Sequence, residues 1–113
     1  MELVEVVVYV RDMRRAIGFY RDVLGLAPGY ESASWTTFET GSCTLALHAT
    51  EQREPGPGEP DPTFLVEDAV AERARLAAAG VEVSDIREPV GGTLVFDVRD
   101  PDGNRLSIES RQG

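Results

Sequence analysis

Residues 3–10, LVEVVVYV, are β-branched and aromatic and predict a strand. Asp12 follows, placed to cap a helix. Met13, Ala16, Ile17, Tyr20, Val23 and Leu24 then recur at helical spacing and give one apolar face, with Gly25 suited to end it. Residues 31–40 and 43–50 alternate and predict two strands joined at Gly41-Ser42. The stretch 51–62, EQREPGPGEPDP, is polar and holds four prolines and two glycines. Prolines remove ladder donors, so this segment reads as an exposed linker without regular structure.

After the linker the pattern restarts. Residues 62–67 predict a strand, Asp68 a cap, 69–79 an alanine-rich helix stopped by Gly80, and 81–87, 92–99 and 105–110 three further strands. Val10-Arg-Asp12 corresponds to Val66-Glu-Asp68, and Thr44–His48 to Arg105–Glu109. The order strand, helix, strands occurs twice, so the chain reads as one domain of two modules, about 1–50 and 62–113.

A chain of 113 residues with 42% apolar content can bury one core. Its formal charge of −9 argues against nucleic acid and anionic membranes, and is compatible with a cationic ligand or simply an acidic soluble surface. Cys43 is the one cysteine, which excludes an internal disulfide and a thiolate cluster. It reads as an inert thiol at a turn, and a reducing cytoplasm is the expected location. The N-terminus shows no signal-peptide pattern, and no apolar run approaches a membrane span. Hydrolase nucleophile elbows, phosphate-binding glycine loops and a Cys–His dyad are all missing from the sequence.

Two segments carry a family resemblance. Val10–Leu26, with V-R-D, F-Y and V-L-G-L in order, resembles the first strand end and helix of vicinal oxygen chelate proteins. Phe96–Glu109 is similar to their last hairpin with its D-P-D-G-N turn, in which proline presets φ and glycine takes a positive φ. That superfamily includes glyoxalase I, the bleomycin-resistance proteins and the extradiol dioxygenases, and the resemblance covers essentially the whole chain. It implies an α+β fold of two βαβββ modules whose curved sheets form an open, barrel-like structure with helices outside and a cleft within. Strand alternation then assigns Val4, Val6, Val8, Val10, Leu45, Leu47, Leu106 and Ile108 to the helix side. Glu5, Val7, Tyr9, Trp35, Ala46, His48, Asp97, Arg99, Ser107 and Glu109 fall on the cleft side.

Metal-using members of the superfamily place four ligands at positions that correspond here to Glu5, Ala46, Asp61 and Ser107. Alanine cannot ligate and a neutral serine is a poor donor, so the usual metal site is expected to be incomplete. A displaced site would draw on His48, Glu109 and Glu5, with a divalent metal. The plainer reading of these residues is a polar pocket mouth or a His–Glu hydrogen bond, with His48 nearer Glu109 than any other carboxylate. Trp35 and Tyr9 read either as stacking surfaces or as core and dimer contacts, and Asp97 and Arg99 as ligand contacts or, more simply, a mutual pair.

The expected function is a small-molecule-binding homodimer of the bleomycin-resistance type, holding an organic ligand, with a cationic one suited to the acidic charge, without a metal or other cofactor. Glu5, Tyr9, Trp35, His48, Asp97, Arg99, Ser107 and Glu109 would form the site. The alternative is an enzyme: a metal-dependent lyase or isomerase with catalytic candidates His48 and Glu109, or a metal-free one with His48 as general base. Fold alone does not choose between these classes.

Overall fold

The computed structural model describes residues 5–50 and 60–111. Val4 and residues 51–59 of the linker lie outside them, while 60–62 carry no regular structure. The first module runs β1 (Glu5–Val10), α1 (Met13–Ile17) with a π-helical continuation (Gly18–Val23), β2 (Ala27–Glu31), β3 (Trp35–Glu39) and β4 (Thr44–Ala49). The second runs β5 (Thr63–Leu65), α2 (Ala69–Ala78), β6 (Arg87–Val90), β7 (Thr93–Arg99) and β8 (Arg105–Arg111). The sheets are ordered β1-β4-β3-β2 and β5-β8-β7-β6, each with one parallel pair and two antiparallel ones. The fold is α+β, and each sheet with its helix is one βαβββ module.

Register shows how closely the halves repeat. Val7 pairs with Ala46, which pairs with Thr37, and Thr63 pairs with Ser107, which pairs with Asp97. One rung on, Tyr9–His48–Trp35 corresponds to Leu65–Glu109–Val95. A strand's side-chain period is two, so identical register puts corresponding residues on the same face. In the first module Val8, Val10, Phe38, Leu45 and Leu47 are buried with Met13, Ala16, Phe19 and Tyr20 of the helix. In the second, Phe96, Val98, Leu106 and Ile108 are buried with Ala69 and Leu76. Each fully buried Leu or Phe contributes about 1.5–3 kcal/mol relative to exposure.

Both helix starts form as the sequence predicts. The Asp12 carboxylate accepts from the Arg15 N–H at 3.1 Å, and that of Asp68 from the Ala71 N–H at 3.0 Å. Each carboxylate satisfies an amide that has no partner inside its helix. The first helix differs from the single α-helix expected to Leu24. From Gly18 it widens, and the Leu24 N–H reaches the Phe19 carbonyl at 2.9 Å, five residues back. The wider turn places consecutive Phe19 and Tyr20 both in the core, ring centroids 5.3 Å apart, with Tyr20 next to Phe38 at 5.9 Å. Periodicity of 3.6 had left Phe19 off the apolar face. Gly25 ends the segment at φ +82°, as expected of a C′ glycine.

The edge strands depart most from the sequence reading. β2 carries Pro28 and Gly29 and is exposed throughout, so no apolar alternation marks it. The strand expected over 31–40 is β3 alone, Trp35–Glu39, and β2 lies ahead of it where no strand is predicted; the turn between them is held by Ser32, whose Oγ accepts from the Trp35 N–H at 3.0 Å and donates to its carbonyl at 2.9 Å. The strand expected at 81–87 is a single bridge, Val83 with Val98, and the edge strand follows at Arg87–Val90 with an irregular register. β5 spans three residues rather than 62–67.

The chain forms two compact units, Met1–Pro60 with Pro101–Asn104, and Asp61–Asp100 with Arg105–Gly113. The D-P-D-G-N turn thus belongs to the first unit. There the Arg11 N–H donates to the Asp102 carboxylate at 3.0 Å, the Asn104 side-chain amide to the Tyr9 carbonyl at 2.8 Å, and the Arg15 guanidinium to the Pro101 carbonyl at 3.3 Å. These bonds fix the C-terminal end of β1.

Candidate functional site

On the face of the first sheet away from the helix, β1, β4 and β3 bring Tyr9, His48 and Trp35 side by side on one rung. Ring centroids of Tyr9 and His48 lie 5.6 Å apart at 43°, and those of Trp35 and His48 lie 5.7 Å apart at 61°. Both spacings fall in the range where offset and edge-to-face contacts are favourable. Tyr9 and Trp35 are half-buried and His48 between them is exposed, so the three rings form an aromatic row open to solvent. Behind the row, Ala46 is fully buried next to Val7 and Thr37. Glu5 is exposed at the far end of β1 and pairs with Thr44 rather than Ala46.

The corresponding face of the second sheet is ionic. Ser107 is buried, and its hydroxyl lies 3.2 Å from both oxygens of Asp61 and 3.3 Å from Asp97 Oδ1. Asp97 takes two hydrogen bonds from the Arg87 guanidinium, at 3.0 and 3.3 Å, and its N–H donates to the Ser84 hydroxyl at 2.8 Å. Arg105 lies 3.2 Å from Asp61. Glu109 accepts from Arg111 at 2.7 Å.

Asp97 pairs with Arg87 where a pair with Arg99 was expected. Arg87 is not among the sequence-derived site candidates because it stands at the last position of the strand expected at 81–87; in the structure it opens β6 instead, and its register opposite Val95 brings its guanidinium to Asp97. Arg99 is exposed and, with Asp97, lines a hollow of about 230 Å³ together with Glu82 and Ser84. That is smaller than the 300–1,000 Å³ typical of pockets for drug-sized ligands. Asn104 was also overlooked. It holds the Tyr9 carbonyl, and the only sequence signal for it was its place in the D-P-D-G-N turn. Cys43 is half-buried with its thiol toward the Thr44 carbonyl at 3.8 Å.

The family model described as Glyoxalase/Bleomycin resistance protein/Dioxygenase superfamily matches residues 2–108. The chain belongs to that superfamily. Solved structures similar to it include a glyoxalase family protein from Bacillus anthracis, with TM-score 0.84, 19% identity, and coverage of 99% of this chain and 96% of the other. An antibiotic binding protein from Streptomyces sp. CB03234 gives TM-score 0.83 at 20% identity, covering 99% and 97%. Lactoylglutathione lyase from Agrobacterium tumefaciens gives TM-score 0.78 at 22% identity, covering 96% and 92%. No curated protein matches the sequence.

The metal positions that the sequence resemblance implies for this chain are Glu5, Ala46, Asp61 and Ser107. These residues do not fit a four-ligand set. Ala46 has no donor atom, and the Ser107 hydroxyl and Asp61 carboxylate are engaged with each other and with Arg105. Among the described residues no three His, Cys, Asp or Glu side chains gather as metal donors. The carboxylate of Glu109, a candidate displaced ligand, already faces a guanidinium. No helix among the described residues is long and apolar enough to cross a membrane.

Proposed function

We propose that this protein binds a flat organic molecule, as a homodimer and without the superfamily's usual metal, by stacking it on the Tyr9–His48–Trp35 row. The observation that carries this is the row itself. Three rings in register on one sheet face, open to solvent, present polarizable area at little entropic cost, because the strands already fix them. The ring faces are electron-rich and the chain carries a net charge of −9, so a cationic aromatic is the favoured ligand class. An antibiotic-binding neighbour of the same fold supports a sequestering role. The short edge strands β2 and β6 carry Pro28 and Pro89, which disfavour edge-to-edge pairing, so the proposed dimer would use other surfaces.

Trp35 is the one tryptophan in the chain, so its fluorescence reports on this face. Titration with proflavine, a planar cation, and with bleomycin is expected to give saturable quenching by at least one, lost in His48→Ala and retained in Cys43→Ser. No saturation by either probe up to roughly 1 mM, which corresponds to about −4 kcal/mol, would refute the reading. Light scattering that shows a stable monomer at micromolar concentration would refute the dimer.

A further inference from the structure

We propose that Asp102 and Asn104 are positioning residues for the aromatic row: they grip the outer backbone edge of β1 as a strand would, and so fix the place of the Tyr9 ring. The inference rests on the row as the ligand platform proposed above, but the placement of the ring is measurable without any ligand. β1 is an end strand of its sheet, and an end strand presents backbone groups outward. On the inner side, the Val10 carbonyl accepts from the Thr50 N–H, just past β4, at 2.8 Å. Successive residues of a strand turn their backbone groups to opposite sides, so those of Tyr9 and Arg11 face outward. The turn meets both. The Asn104 amide donates to the Tyr9 carbonyl at 2.8 Å, and the Asp102 carboxylate accepts from the Arg11 N–H at 3.0 Å. Residues two apart on one segment thus meet residues two apart on the other in reverse order, as in an antiparallel ladder. Here side-chain atoms of the turn supply the donor and the acceptor.

The grip is itself anchored. The Asp102 side chain is 3% exposed, and the Arg15 guanidinium reaches from α1 to lie 3.8 Å from it and 3.3 Å from the Pro101 carbonyl. Tyr9 is an end member of the row, its ring 5.6 Å from that of His48. The carbonyl that Asn104 holds is Tyr9's own. Fixing that peptide plane fixes the direction of the Cα–Cβ bond from which the ring hangs. Because the row is open to solvent, the place of the ring depends on its backbone more than on packing from the outer side. Trp35, at the other end, stands on β3, which has a ladder on each side, so Tyr9 is the ring that needs this support. A binding group held from behind loses less freedom when a ligand arrives.

His48 is the one histidine in the chain, so its ring Cε1–H gives a single proton magnetic resonance line, displaced by the ring currents of Tyr9 and Trp35. In the ligand-free protein at one fixed pH, Asn104→Ala is expected to move that line by more than its width. Asp68→Ala, which costs a comparable stability at the cap of α2, should leave it in place. Affinity for whichever probe saturates, proflavine or bleomycin, should fall roughly threefold in Asn104→Ala and hold its wild-type value in Asp68→Ala. An unmoved line in folded Asn104→Ala, or an equal displacement in Asp68→Ala, would overturn the inference, as would a moved line with unchanged affinity. A moved line in a protein whose wild type binds neither probe supports the positioning and refutes the ligand reading alone. If circular dichroism shows Asn104→Ala unfolded, Asn104→Gln is measured in its place. It keeps a donor on a longer arm and should still move the line. Loss of fold in both variants would also overturn the inference, because one half-buried hydrogen bond does not account for the stability of the domain.

Discussion

The bond from Asn104 to the Tyr9 carbonyl makes a sharp test of how β1 is held. Asn104 is half-buried, and its amide nitrogen lies 2.8 Å from the carbonyl oxygen. A carbonyl only accepts, so the NH₂ end of the amide must face it. Asn104→Ala removes that donor from a partly buried acceptor, which costs about 1–3 kcal/mol. Half-burial lets water recover part of this, so about 1.5 kcal/mol is expected, or roughly 6 °C in Tm for a chain this long. The assay is urea denaturation at constant m-value, paired with a calorimetric scan. Asn104→Asp is the isosteric control. It points a carboxylate at a carbonyl, which raises the folded-state pKa of the introduced acid above its unfolded value. The penalty is then full above that raised value and disappears as pH falls below the unfolded value near about 3.9. A Tm shift under about 2 °C for Asn104→Ala, or wild-type stability of Asn104→Asp at neutral pH, would refute the reasoning.

Other outcomes follow from single features. Phe38→Ala, at a fully buried position, should cost about 3–5 kcal/mol and remove much of the stability measured by denaturation. Asp68→Ala deletes the cap of α2 and should cost about 1 kcal/mol, with a loss of helical circular dichroism near the transition. A Cβ at Gly25 or at Gly18 would meet no atom within 4 Å, so these positions differ by backbone alone. Gly25→Ala, at φ +82°, should destabilise by about 1 kcal/mol, and Gly18→Ala, at φ −56°, should stabilise by about 0.5–1 kcal/mol in the same thermal scan. The hydrogen bond from Arg21 holds the exposed Asp22 carboxyl below its ordinary value. Its stabilisation is present above the unfolded value and lost as pH falls through the folded one, but solvent screens it, so Asp22→Asn should leave the acid limb of the Tm–pH curve unchanged.

The sequence by itself determined what depends on neighbours along the chain. Helix caps at Asp12 and Asp68 need only a short side chain within three residues of an open amide. The inward Val8 and Val10 of β1, Leu45 and Leu47 of β4, and Leu106 and Ile108 of β8 follow from a period of two, and the pairing registers agree with the repeat that matched Ser107 to Ala46 and Glu109 to His48. That Tyr9, Trp35 and His48 share one face was legible from the same alternation. Tertiary structure decided everything that has no buried face to mark it or that depends on register between strands. β2, with Pro28 and Gly29, is a strand only because β3 offers it a ladder, and β6 starts at Arg87, opposite Val95 of β7. That start gives Asp97 its partner Arg87 instead of Arg99. Likewise, nothing local placed Asn104 on Tyr9, more than ninety residues away along the chain. Alternation records which way a side chain points from its own strand, and the partner it meets there is set by the pairing of strands that the pattern does not encode.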